Sequence, residues 1–251
     1  MTRLLSATLL LVLLVTDVAS SDSAPARFSS GNRQVALLEL YTSEGCSSCP
    51  PADRWLSGLK GQPDLWSGVV PVAFHVDYWD YIGWRDRFAS PEFSDRQRRY
   101  EREGGVNTVY TPGMFKDGHE WRGWFWNRGI GVGDRDIGNL AIELEDGHVS
   151  AHFDALESDH GELVLHVALL GMSLETRVGA GENNGRTLRH DFVVLGHGSA
   201  KLAKDGSRYS ARTKLPRPRV TANDWAVAAW VSTPDRQAPI QATGGYLASR
   251  R

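Results

Sequence analysis

Two cysteines, Cys46 and Cys49, are the only ones in the 251 residues, and they stand two residues apart. A C-x-x-C pair that follows an apolar run and precedes a helical pattern is typical of thiol–disulfide redox motifs. A helix N-terminus favours a negatively charged sulfur, so we expect a depressed pKa and an exposed position for Cys46. Cys46 is then the attacking thiolate and Cys49 the resolving thiol. The hydroxyls of Ser47 and Ser48 can donate hydrogen bonds to the thiolate.

Other interpretations of the pair remain open. A disulfide that closes so short a loop removes little entropy from the unfolded chain, which makes a static crosslink less attractive. A structural zinc site needs four ligands, and the sequence has no second C-x-x-C pair or close histidine pair. Cys46, Cys49 and one histidine would suit the soft ion Cu(I), with His75 or His119 as the third ligand. Binding of Cu(I) is therefore the alternative to thiol–disulfide exchange, which needs no cofactor.

Two strands and a helix must position the cysteines. Val35–Tyr41 is a short apolar run that predicts a buried strand, and Pro50–Lys60 has apolar residues at helical spacing. Pro50 and Pro51 are compatible only with the first turn of that helix. Val69–Val76 predicts a second buried strand. Strand, helix and strand in this order form a βαβ unit with parallel strands.

A second candidate feature is the dipeptide Thr111-Pro112. It precedes a hairpin-turn signal, as the cis-proline of thioredoxin-like folds does, and in those folds this proline lies against the two sulfurs. We therefore expect a cis bond, although only about 5% of X–Pro bonds are cis. Thr111 and Pro112 are candidate substrate-binding residues. Trp79 and Trp84 either line the same groove or fill the core.

Glu39 is the acid within the first apolar strand. A carboxylate buried near the second sulfur has a raised pKa and can accept the proton of Cys49 during exchange. In the alternative interpretations Glu39 faces solvent at the strand end or pairs with an arginine.

Residues 1–20 have the pattern of a cleaved secretory signal peptide, with Arg3 before the apolar run Leu4–Val15 and small residues at Val18–Ser20. The apolar run is shorter than the ~20 residues of a spanning helix. We therefore expect a periplasmic or secreted protein that has no membrane association after cleavage. Disulfides persist in those compartments.

The remaining chain divides by composition. Residues 21–32 predict a flexible N-terminus, and residues 33–130 contain the βαβ unit. Residues 131–251 predict a β-rich part, because turn dipeptides such as Asp146-Gly147 separate runs of β-forming residues. The net charge of −2, with both signs spread along the chain, gives no indication of a nucleic-acid partner.

Three stretches resemble the domain-of-unknown-function 1223 family of secreted bacterial thioredoxin-like proteins: ELYTSEGCSSCPPAD, AFHVDYWDYIGWRDRFASPEFSDRQRRY and VYTPGMFKDG. GENNGRTLRHDFVV, from Gly181 to Val194, resembles a further motif of that family. The resemblance implies an α/β fold class, with a thioredoxin-like N-terminal domain and a β-rich C-terminal part. It places Cys46 and Cys49 at the family's cysteine pair and Pro112 at its Thr-Pro position.

The function expected from these patterns is extracytoplasmic thiol–disulfide exchange without a cofactor. Its partners would be protein thiols, protein disulfides or a redox protein that donates or accepts electrons. Two alternatives remain, a copper-binding or copper-chaperone protein and a non-enzymatic module that binds a protein or glycan.

Overall fold

The structure is a computed structural model that describes residues 24–131, 133–157 and 160–248. The signal peptide predicted for residues 1–20 lies outside the described residues. Strands hold 43% of the described residues and helices hold 14%. The elements are, in chain order, β1 (Ala26–Ser29), β2 (Ala36–Thr42), α1 (Pro50–Ser57), β3 (Val69–His75), α2 (Pro91–Arg102), β4 (Gly113–Lys116), β5 (His119–Glu120), β6 (Gly138–Glu145), β7 (His148–Ala155), β8 (Val164–Met172), β9 (Leu174–Arg177), β10 (Thr187–His190), β11 (Val193–Lys201), β12 (Ala203–Asp205), β13 (Arg208–Lys214), β14 (Asp224–Ser232) and β15 (Gln241–Leu247), with 3-10 turns at Gly58–Gly61, Asp80–Ile82 and Gly123–Trp126.

Two large sheets dominate the molecule. An eight-stranded sheet has the order β15-β14-β8-β11-β3-β2-β4-β5, and a five-stranded sheet has the order β1-β6-β7-β13-β12. β9 and β10 form a separate two-stranded ribbon. In the larger sheet β2 and β3 are parallel, and β3 also pairs in parallel with β11 through Ala73 and Val193. Its remaining neighbouring strands are antiparallel.

The predicted α/β class with a thioredoxin-like N-terminal domain is wrong, because the chain is mostly β and arranged like a β-sandwich. The local elements of residues 33–130 were predicted correctly, but their strands are part of a larger sheet. β3 continues into β11, β8, β14 and β15, which all come from the C-terminal half. The periodicity of apolar residues predicts each strand by itself, but it does not predict which strands are neighbours in the sheet. The boundary between residues 130 and 131 stays a prediction, and the large sheet contains strands from both sides of it.

Two hydrophobic cores lie on opposite faces of β8 and β14. Along β14, Val227, Ala229 and Val231 join the core formed with the five-stranded sheet. Ala228 and Trp230 of the same strand join the core that contains β2, β3 and the two helices. Because side chains alternate between the faces of a strand, one apolar run supplies both cores. This explains why Trp225–Val231 is apolar without interruption.

The elements around the cysteines follow the sequence prediction closely. β2, α1 and β3 form the expected βαβ unit, and α2 begins at Pro91 as expected. β4 and β5 form the expected hairpin around Asp117 and Gly118, whose φ angles of 51° and 85° are left-handed. Asp and Gly tolerate this backbone conformation, which a tight hairpin requires.

The N-terminal segment differs from its prediction. Residues 21–32 were expected to be flexible, yet Ala26–Ser29 forms β1 and pairs antiparallel with β6. Phe28 packs against the second core and lies close to Gly245 of β15, where a side chain would overlap its ring. The segment is mostly small and polar, so its composition predicted flexibility and did not indicate that Phe28 anchors it. Among the described residues, no helix is long and apolar enough to cross a membrane.

Candidate active site

Cys46 and Cys49 form a disulfide at the start of α1, with their Cα atoms 5.4 Å apart. Both residues are buried, with 1% and 0% of their surface exposed, so the expectation of an exposed Cys46 is wrong. Ser47 and Ser48 between them are exposed. The hydroxyl of Ser48 lies 3.3 Å from the sulfur of Cys46. A reactant can therefore approach the loop, but it must displace neighbouring atoms to reach the sulfurs.

The N-terminus of α1 offers few backbone donors to a thiolate. Pro50 and Pro51 occupy its first positions and carry no N–H group. The next two amides, those of Ala52 and Asp53, donate to the carbonyl oxygen of Cys49 at 2.9 and 3.2 Å. The sequence predicted that the helix N-terminus stabilises the thiolate, but none of these four positions has an unpaired N–H group to do so. The Ser48 hydroxyl is the side-chain donor that the structure does place beside Cys46.

A loop from the C-terminal half holds the cysteine loop in place. The buried side chain of Asn183 donates to the carbonyl oxygens of Glu44 and Cys46, each at 2.9 Å. Arg186 donates to the side-chain oxygen of Asn183 at 2.6 Å and so orients the amide. The Glu182 carboxylate accepts a hydrogen bond of 2.9 Å from the backbone amide of Ser47. Through these contacts the GENNGR stretch holds the backbone of the cysteine loop in position.

Aromatic side chains connect the cysteine loop with the Thr111–Pro112 segment. The Thr111–Pro112 peptide bond is cis, as predicted, and Pro112 is buried. The indole N–H of Trp79 donates to the Thr111 hydroxyl at 2.7 Å. Trp79 also packs over Gly45, where an added Cβ would lie 3.1 Å from the Trp79 Cβ. Trp79 therefore lies between the cysteine loop and Thr111, two of the predicted site features.

Trp84 begins a buried polar chain behind the cysteine loop. Its indole N–H donates to Oε2 of Glu44 at 2.9 Å. The other Glu44 oxygen lies 3.6 Å from Nε2 of His190, and Nδ1 of His190 lies 3.6 Å from Oδ1 of Asp53. Burial alone would lower the pKa of His190, but the two carboxylates outweigh it and raise this pKa to about 10. The His190 ring thus lies between two buried carboxylates next to α1.

His75 belongs to the same cluster. Its Nδ1 lies 2.6 Å from Oδ2 of Asp86, and its ring meets that of His190 edge to face at 4.9 Å. Burial alone would raise the pKa of Asp86, but His75 and the amides of Glu44 and Phe88 bring it below its ordinary value. The structure groups His75 with Asp53 and His190, while Cys46 and Cys49 are bonded to each other.

Glu39 has a different environment from the one that proton transfer to Cys49 would need. Its carboxylate is buried and forms a two-point ion pair with Arg96, at 2.8 and 3.1 Å. It also accepts hydrogen bonds from the hydroxyls of Tyr41 and Tyr100. Both oxygens are therefore engaged. The geometry favours the alternative in which Glu39 pairs with an arginine, and this ion pair connects β2 with α2.

A family model described as a protein of unknown function, DUF1223, matches residues 37–232. The chain belongs to the DUF1223 family. Its fold is similar to the crystal structure of protein AGR_C_4864 from Agrobacterium tumefaciens, with 24% identity over 85% of this chain and 94% of that chain and a TM-score of 0.58. It is also similar to HBP35 of Porphyromonas gingivalis, with 17% identity over 87% of this chain and 76% of that chain and a TM-score of 0.58. At these identities the likeness shows the fold alone, and no curated protein matches the sequence.

Sequence reasoning missed several residues of this DUF1223 site. His190, Asp53 and Asp86 carry no mutual spacing pattern, because they come from the ribbon, the first helix and an aromatic loop. Asn183 lies 137 residues from Cys46 in the chain. The one available signal was the stretch Gly181–Val194, which contains both Asn183 and His190.

Proposed function

We propose that this DUF1223 protein is a thiol–disulfide oxidoreductase that acts outside the cytoplasm through Cys46 and Cys49. The observation that carries the proposal is the disulfide between the only two cysteines, which are three positions apart at the start of a helix. So short a loop contributes little to the stability of a chain that already has two hydrophobic cores. Reversible chemistry accounts for the pair better than crosslinking does.

The reaction is a two-step exchange. A substrate thiolate attacks the sulfur of Cys46, the Cys46–Cys49 bond breaks, and Cys49 leaves as a thiolate. A second substrate thiolate then attacks the substrate sulfur of the mixed disulfide, and Cys46 leaves. The protein ends as a dithiol and the substrate as a disulfide. The same steps in reverse start with the Cys46 thiolate, so no other cofactor takes part.

The surrounding residues have distinct roles in this scheme. The Ser48 hydroxyl, 3.3 Å from the sulfur, donates to the Cys46 thiolate. Asn183 fixes the backbone of Cys46, and Trp79 with Thr111 and Pro112 forms the surface against which a substrate peptide lies. Trp84 supports this surface through Glu44. Because both cysteine residues are buried, exchange requires local movement around the loop.

The proposed partners are exported proteins that carry exposed dithiols or disulfides, or a redox protein that regenerates the pair. An oxidising compartment suits a disulfide of this kind. This location rests on the signal peptide predicted from residues 1–20 and on the disulfide.

The test is exchange with a fluorescent peptide that contains one intramolecular disulfide, offered to the reduced protein, and with its dithiol form, offered to the oxidised protein. Wild type should convert both. Cys46→Ser should abolish exchange, and Cys49→Ser should accumulate a mixed disulfide between Cys46 and the peptide, visible by mass spectrometry. Ser47→Ala is the matched control and should exchange normally.

A redox titration completes the test. If the reduced and oxidised proteins leave the peptide unchanged in buffers poised between about −270 and −120 mV, the range of known exchange proteins, the disulfide is structural and the proposal is wrong. If Cys49→Ser fails to trap the peptide while Cys46→Ser traps it, the roles of the two cysteines are reversed.

A further inference from the structure

We propose that Asp53, His75 and His190 form a binding site for one divalent transition-metal ion, of the kind represented by Zn²⁺. One ligand atom from each of these three side chains lies within 4.8 Å of the others, and all three residues are buried. They come from α1, the end of β3 and the end of β10. The inference goes beyond the exchange reaction proposed above and does not depend on it.

Unpartnered atoms point to a ligand within the cluster. Nε2 of His75, a residue 0% exposed, has no hydrogen-bond partner among the described residues. The two ring nitrogens of His190, a residue 2% exposed, face carboxylate oxygens at 3.6 Å, beyond hydrogen-bond distance. Oε1 of Glu44 has no hydrogen bond and lies 3.6 Å from Nε2 of His190. Buried polar groups almost always have a partner, and such orphaned atoms call for a specific explanation. A metal ion bound by Nε2 of His75 and Nδ1 of His190 gives each of these two nitrogens a partner and leaves Nε2 of His190 facing Glu44.

The donor atoms suit a transition metal. Two imidazoles and one carboxylate are a common ligand set for Zn²⁺ and for non-haem Fe²⁺. Nδ1 of His190 and Oδ1 of Asp53 are 3.6 Å apart. A tetrahedral ion with bonds of about 2.0–2.1 Å separates its ligands by roughly 3.3 Å. The ligand atom of His75 lies within 4.8 Å of the other two, so it would move inward by up to about 1.5 Å to complete the set.

Each proposed ligand also has an outer partner that holds it in orientation. Asp86 Oδ2 lies 2.6 Å from Nδ1 of His75, which leaves Nε2 as the atom available for the metal. Glu44 lies beyond Nε2 of His190 on the far side of that ring. The hydroxyl of Thr42 donates to Oδ2 of Asp53 at 3.1 Å, which leaves Oδ1 available. A carboxylate behind each ligating histidine is characteristic of metal centres.

Charge balance supports a cation in the same place. Glu44, Asp53 and Asp86 are 0%, 6% and 2% exposed. Within the part of the chain that the structure describes, their ion pairs are with His75 or His190, and none is with lysine or arginine. Buried carboxylates are stable when they are paired, hydrogen-bonded or bound to a metal. Histidine binds a metal as the neutral imidazole, so binding would release the proton of His190 and put the divalent ion in its place opposite the carboxylates.

The test uses the oxidised protein, stripped with a chelator and titrated with Zn²⁺ and Co²⁺. We expect one equivalent of each metal, an increase in Tm with Zn²⁺, and a Co²⁺ spectrum that shows d–d bands without a thiolate charge-transfer band. His75→Gln and His190→Gln should each weaken binding at least 100-fold, and Asp86→Asn should weaken it about 10- to 100-fold. The exposed residue His119 supplies the control, and His119→Gln should bind like wild type.

Circular dichroism in the near-ultraviolet verifies that each variant is folded. X-ray absorption on metal-loaded wild type counts imidazole ligands without any mutation, and two are expected. Absence of stoichiometric binding, binding that survives both histidine substitutions, or binding that appears only after reduction with sulfur ligands would each overturn the proposal. None of these outcomes bears on peptide exchange, so the two proposals stand or fall separately.

Discussion

The side-chain amide of Asn183 donates a hydrogen bond of 2.9 Å to the carbonyl oxygen of Cys46, across 137 residues of sequence. The same amide serves the carbonyl of Glu44, so one side chain from the C-terminal half holds the backbone of the cysteine loop. We therefore expect Asn183 to control how easily the cysteine loop opens and exposes the disulfide.

Asn183→Ala tests this control. Two buried carbonyl oxygens lose their donor, which costs about 1–3 kcal/mol of unfolding free energy for each group left unsatisfied. Dithiothreitol should reduce the Cys46–Cys49 disulfide severalfold faster in the variant, because the loop opens more easily. Asn184→Ala, at the neighbouring exposed residue, is the matched control and should leave both quantities unchanged. Equal reduction rates for Asn183→Ala and wild type would show that the loop does not depend on Asn183.

Glu39→Gln separates the structural role of Glu39 from the catalytic role that its position in the sequence suggested. The change leaves Arg96 as a buried cation without its ion-pair partner, so the free energy of unfolding should fall by about 3–5 kcal/mol. Urea denaturation measures this loss. The rate at which Cys49 resolves a mixed disulfide should be unchanged.

Glu143→Gln is the control for Glu39→Gln, because it breaks the exposed pair with Arg27 and should have no measurable effect on stability. A slower resolution step in Glu39→Gln, with stability retained, would instead assign the proton transfer to Glu39.

Thr111→Val tests the substrate surface. The change removes the oxygen that accepts the Trp79 N–H at 2.7 Å while keeping the shape of the side chain. Loss of one hydrogen bond, about 0.5–1.5 kcal/mol, should lower kcat/KM for a peptide disulfide roughly threefold to tenfold, chiefly through KM. Thr108→Val, at an exposed residue of the same segment, is the control. If Thr111→Val exchanges as fast as wild type, Trp79 and Thr111 do not contribute to the substrate surface.

His166 predicts a dependence of stability on pH. Burial first, and then the nearby charges of Arg96, His197 and Arg99, hold the pKa of His166 well below its ordinary value of 6.5. Below about pH 6.5 His166 is protonated in the unfolded chain but stays neutral in the folded protein. Stability from this residue is therefore complete above that pH and is lost as the pH falls, by up to about 1.4 kcal/mol per pH unit.

The measurement is urea denaturation of wild type and His166→Gln between pH 5 and pH 8. Stability of the variant should decline less steeply toward acid. His152→Gln, at an exposed histidine, should follow wild type. Parallel curves for wild type and His166→Gln would mean that His166 titrates normally in the folded protein.

The sequence by itself determined the local elements. Apolar runs and helical spacing located β2, α1 and β3, and turn dipeptides located the hairpin after Thr111-Pro112. The cysteine spacing also determined that the two sulfurs can bond. These features depend on residues within one or two turns of each other, where backbone geometry dictates which side chains meet.

Tertiary structure decided the fold class and the environment of the site. Strand order in the large sheet results from contacts between distant segments, which no local period encodes, so the α/β prediction failed. The same long-range packing buries Cys46, pairs Glu39 with Arg96, and brings His190 to Asp53 from 137 residues away in the chain. Burial and charge pairing are properties of the assembled molecule, because they depend on which surfaces exclude water together.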